Sequence, residues 1–89
     1  MVMDDHEINL TIAKLEYPET RNLKLWVQQN LVSFTDGWYD IGHIIEREKI
    51  GIRPVPNGWE AFYDDSVVIA DTPTKAAALC YLRIKGVGG

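Results

Sequence analysis

Cysteine is almost absent from this chain. Cys80 stands alone, so no disulfide can close within it, and a reducing compartment is the natural reading. Histidine is scarce as well. His6 and His43 are far from each other and from Cys80, so no pair falls at metal-ligand spacing and no metal is expected. No nucleophile elbow, phosphate-cradling loop or dinucleotide fingerprint occurs. The adjacent acids Asp4-Asp5 and Asp64-Asp65 read as a helix cap and a turn rather than a catalytic pair. The expectation is no enzyme, no catalytic residue and no cofactor. No run approaches the ~20 apolar residues of a membrane span. The opening Met-Val-Met-Asp-Asp-His-Glu carries acids too early for a secretion signal, so a cytoplasmic protein is expected. Positive charge is also in deficit. Nine Lys and Arg stand against thirteen Asp and Glu, a net charge of −4, which disfavours broad contact with a phosphate backbone.

Apolar side chains are plentiful. They make up 46% of the 89 residues and include three Trp, four Tyr and two Phe. That is enough for one packed core, and it argues against disorder. A single domain is read over residues 1–86, with 87–89 as a mobile tail.

The chain is organised around residues 38–52, where the apolar rhythm changes from helical (Ile41, Ile44, Ile45) to alternating (Ile50, Ile52). Before it, Asp4 with Glu7 makes a capping pair for a first helix with the stripe Ile8, Ile12 and Leu15, stapled by Met3 against Ile8. Pro18 stops that helix. Residues 22–28 alternate, with Leu23, Leu25 and Val27 on one side, and read as a strand. Leu31 to Phe34 reads as a short partner strand. Asp36 is the expected N-cap of a central helix that starts at Trp38 and ends near Arg47 or Glu48. After it come three strands: Ile50 to Val55, Trp59 to Tyr63 and Val67 to Ala70. Asn57-Gly58 is the strongest turn signal, with Gly58 expected at positive φ. A last helix is capped by Thr72, opened by Pro73, lined by Ala76, Leu79, Cys80 and Ile84, and closed by Gly86. The order α-β-(β)-α-β-β-β-α predicts an α+β fold, a small antiparallel sheet with helices mainly on one face. Trp38, Ile41, Ile45, Trp59 and Leu79 are predicted to be buried.

The same periodicities leave some bulky or cationic side chains away from that core. Tyr39, His43 and Glu46 share the outer side of the central helix, with Arg47 on its flank. Trp26 falls on the polar side of its segment, and both sheet faces are partly apolar. Large exposed apolar surface marks association, and interfaces draw their energy from a few aromatic and Arg anchors. Trp26, Tyr39, His43, Arg47 and Arg53 are therefore the candidate partner-binding residues, for another protein or for a second copy in a homodimer. Replacing Tyr39 and Arg47 together is expected to leave stability nearly unchanged.

Three stretches carry a family resemblance. They are Glu7-Ile8-Asn9 with Ala13, the pattern Trp-x-x-Ile-Gly-x-Ile-Ile-Glu-x-x-x-Ile over Trp38 to Ile50, and Gly58-Trp59-x-Ala61 followed by a helix with Ala76, Ala77 and Leu82. The chain resembles small tailed-phage proteins of the NinX type through these, although residues 20–34 do not match. The resemblance implies a phage or prophage accessory protein in the host cytoplasm and carries over no catalytic residues. Together with the aromatic anchors it leads to an expectation of non-catalytic binding to a host or phage protein. The alternative is a nucleic-acid or nucleotide-binding module. The stretch from the central helix onward has the α-β-β-β-α order of double-stranded-RNA-binding domains, but those modules grip phosphates with basic residues at the start of the last helix. Here that helix start offers only Lys75, with Asp71 nearby.

Overall fold

A computed structural model describes residues 4–29 and 32–87. Asp4 caps the first helix, α1 (Asp5–Glu16), its carboxylate accepting from the Glu7 amide at 2.8 Å. Met3, the other half of the expected staple, lies outside the described residues. At Tyr17 the backbone leaves helical geometry ahead of Pro18 (φ −129°, ψ 61°). Ile8 and Ile12 are fully buried, but Leu15 is exposed, and Asn9 and Ala13 complete the buried side instead. The inward face is thus rotated by one residue from the stripe the apolar spacing suggests.

Residues 22–28 are not a strand. Leu23–Gln28 forms a short helix, α2, packed on α1. Leu23 and Val27 point inward while Leu25 is exposed. Over so few residues, Leu23 and Val27 satisfy both an alternating period and an i, i+4 spacing, and docking on α1 decides between them. Val32 to Phe34 is irregular rather than a strand, and Leu31 lies outside the described residues. The observed order is therefore α-α-α-β-β-β-α.

The central helix is α3 (Trp38–Glu48). Gly37, not Asp36, occupies its N-cap, and the Asp36 carboxylate accepts from the Ser33 hydroxyl instead. Lys49 ends the helix in the left-handed region at φ 58°. Ile41 and Ile44 are buried, Ile45 is half-buried, and Trp38 is 57% exposed, so the expectation that Trp38 is core was wrong. It lies about 60° round the helix from Ile41, beyond the edge of the buried stripe.

Three antiparallel strands follow as a meander: β1 (Gly51–Val55), β2 (Gly58–Tyr63) and β3 (Ser66–Ala70). Val55 pairs with Gly58 across Pro56-Asn57, and Gly58 has φ +145°. A Cβ there would lie 2.4 Å from the Ala70 carbonyl oxygen, so both torsion and space select glycine. The last helix, α4 (Pro73–Ile84), is capped by the Thr72 hydroxyl, which accepts from the Lys75 amide at 3.2 Å. At its other end Gly86 (φ 75°) bonds back to Arg83 and Val87 bonds back to Leu82, which satisfies two terminal carbonyls.

α4 crosses one face of the sheet, against Ile52, Trp59, Ala61, Val68 and Ala70, while α3 and α1 pack on α4 from the other side. It is therefore buried nearly all round (Ala76, Ala77, Ala78, Cys80, Tyr81, Leu82), which explains its small side chains. Trp59 and Leu79 are half-buried against this core. No described helix covers the opposite sheet face, where Val67 is 47% exposed and Ile69 is 56% exposed. No helix among the described residues is long and apolar enough to cross a membrane.

Candidate binding face

The start of α3 is held from below. Asn9 of α1, itself buried, accepts through Oδ1 from the amides of Phe34 (2.6 Å) and Thr35 (3.1 Å). Its Nδ2 donates to Thr35 Oγ1, and Thr74 at the start of α4 donates to the Thr35 carbonyl. Asp40, in the first turn of α3, accepts from the Ser33 amide at 3.0 Å. The 33–37 loop is thereby pinned by α1, α3 and α4, and the outer side of α3 becomes a rigid surface.

That surface carries Trp38, Tyr39, Gly42, His43 and Glu46. Tyr39 is 83% exposed, and His43 stacks edge-on against it with ring centroids 5.4 Å apart. Tyr17 comes near on the flank; burial first, then the negative charges of Asp40 and Glu16, pushes its phenol pKa up. Among the described residues nothing requires position 42 to be glycine. Its torsion is helical, and a Cβ would meet nothing within 4 Å. A glycine inside a helix costs about 1 kcal/mol relative to alanine.

The five candidate anchors separate. Tyr39 and His43 share this face. Arg47 lies one turn beyond His43 but turns to the side: it forms a bidentate pair with Glu16 of α1, both contacts at 2.8 Å, and its Nε donates to Glu48 at 2.8 Å. Glu16 also accepts from the buried Tyr81 hydroxyl of α4 at 2.5 Å. The hydrogen bond from Arg47 holds the Glu16 carboxyl below its ordinary range against the opposing effect of burial, and burial and then the bond to Glu16 push the Tyr81 phenol up. Arg47 thus fastens α3 to α1 through the carboxylate that α4 also reaches, and this weakens the expectation that it can be replaced without loss of stability. Arg53 stands on the uncovered sheet face, paired with Glu60 and lying over the Phe62 ring at 5.1 Å. Trp26 is half-buried against the core.

Periodicity missed Trp38 as a surface residue, because its place on the helical wheel borders the buried stripe. It also missed an open cleft of about 420 Å³ among Asp5, His6, Asn9, Gln28, Ser33 and Asp36. That cleft lies between α1, the end of α2 and the 33–36 segment, and α1 is far from the other two in sequence. Among the described residues, no group of three or more His, Cys, Asp or Glu side chains is placed to hold a metal ion, and Cys80 is buried. No protein-family model, curated protein or solved structure matches the chain.

Proposed function

We propose that the chain is a phage or prophage accessory protein that works without catalysis, by binding a host or phage protein in the host cytoplasm through the outer face of α3. The observation that carries this reading is the pair of neighbouring exposed aromatics, Trp38 and Tyr39, on a helix whose start is pinned from three sides. Rigid amphipathic aromatics on a preorganised element lose little entropy on binding, which suits them as anchors. The phage assignment rests on the resemblance over Glu7-Ile8-Asn9 with Ala13, Trp38 to Ile50, and Gly58-Trp59-x-Ala61 with the Ala-rich last helix. Affinity capture from host lysate is expected to retain a protein that the Tyr39→Ala variant no longer retains, at an unchanged melting temperature. Equal capture by both proteins would remove the reading.

A nucleic-acid-binding module is the second reading, favoured by the observed α3-β1-β2-β3-α4 order. Its electrostatics are unfavourable: Lys75, the one base at the start of α4, is paired with Asp5 at 3.0 Å. Titration with double-stranded RNA at two salt concentrations separates the readings, because phosphate-driven binding weakens steeply with salt.

A further inference from the structure

We infer that the outer face of α3 is also a self-association surface, on which two copies of the chain pack α3 against α3, antiparallel, across a two-fold axis at Gly42. The inference rests on the reading of α3 as a binding face and gives it a definite occupant. In a two-fold contact, residue i of one copy meets residue j of the other and j meets i, so the face must complement itself. This one does so in one direction only. Its N-terminal half carries Trp38 and Tyr39, and the charged Glu46 lies toward its C-terminal end. Tyr39 and Glu46 are seven residues apart, about 10 Å along the axis and nearly in line, with Gly42 close to midway. Antiparallel packing sets each Tyr39 hydroxyl, a donor, opposite the Glu46 carboxylate of the second copy. Parallel packing would set Tyr39 on Tyr39 and Glu46 on Glu46.

Gly42 supplies the second argument. It disfavours the helix, and among the described residues no neighbour needs it small. At the two-fold axis it would face its own copy, and two helices crossing at bare backbone approach more closely than any side chain allows. Opposed helix dipoles add to the antiparallel preference.

Sedimentation velocity of the full chain from about 10 μM to about 1 mM, a range that reaches the weak affinities of small contacts, is expected to show conversion to twice the monomer mass. Gly42→Leu fills the axis with a good helix former and should weaken dimerisation by about tenfold or more without lowering the melting temperature. Register is tested separately. A mixture of Tyr39→Cys and Glu46→Cys chains should oxidise mainly to the mixed disulfide dimer, while either variant alone should cross-link poorly. A monomer over the whole range overturns the inference. So does a dimer that Gly42→Leu leaves intact, or one in which the mixed cysteine pair gains no advantage. The two readings of the face fail separately. A monomeric chain that still captures a host protein through Tyr39 loses the dimer and keeps the partner. A Gly42-dependent dimer without such capture keeps the dimer and loses the partner.

Discussion

At Glu16 three helices meet on one carboxylate: α1 supplies it, Arg47 of α3 grips it twice, and Tyr81 of α4 donates to it. Because Arg47 holds the Glu16 pKa down, the folded state favours the ionised form. That stability is fully present above the ordinary carboxylate range and is lost as pH falls through the lowered folded-state value. Glu16→Gln is therefore expected to cost about 1 kcal/mol near neutrality, a modest figure because Arg47 is half-exposed, and to flatten the acid limb of melting temperature against pH. An acid limb identical to that of the parent would show that the network carries no linkage. Gly42 makes the opposite case. Gly42→Ala should raise the stability of the monomer by about 1 kcal/mol in urea unfolding of dilute protein, because within the chain the added methyl meets no described residue and the helix gains propensity. A loss instead would mean that the site is not open.

Among the elements, the β1–β2 hairpin was the most legible. Asn57-Gly58 announces a reversal of direction, and the torsion found at Gly58 is one that L side chains rarely adopt. Gly58→Val is expected to cost about 2–3 kcal/mol, because the branched side chain meets both that torsion and the Ala70 carbonyl. Thermal melting measures this, and an unchanged midpoint would show that the turn is free to rearrange. The ends of α1 and α4 were legible for a similar reason. The Asp4 and Thr72 caps and the Gly86 stop depend on contacts within a few residues, so local chemistry decides them. The helix α2 was not legible, because its six residues are too few for one period to exclude another and the surface it docks on comes from α1.

For the whole molecule, the α+β class follows from the changes of apolar period along the chain, and the three-stranded meander with helices on one face agrees with it. The core is centred on Ile8, Ile12, Ile41, Ile44, Phe34 and Tyr81 around the small residues of α4. Ile41 is fully buried there, and Ile41→Ala should cost roughly 2–5 kcal/mol. So large a share of a small domain's stability would be visible as a shifted denaturant midpoint. A loss under about 1 kcal/mol would contradict its central position. Ile45, predicted as an equal member, is only half-buried, so its truncation should cost less.

The amino-acid sequence by itself determined what nearest neighbours decide: the Asp4 and Thr72 caps, the Gly58 turn, the period of the long helix and strands, and the outward placing of Tyr39 and His43. Only the tertiary structure decided where distant segments compete for the same side chain. Arg47 looks free on its helix and becomes a clamp because Glu16, thirty-one residues earlier, reaches it. Asn9 looks like a polar interruption in α1 and becomes the buried anchor of the 33–37 loop. Trp38 sits at the border of a helical stripe, and whether a border residue is covered depends on which element packs beside it. Helical and strand periods specify which direction a side chain takes from its own backbone. What lies in that direction is set by the packing of the other elements.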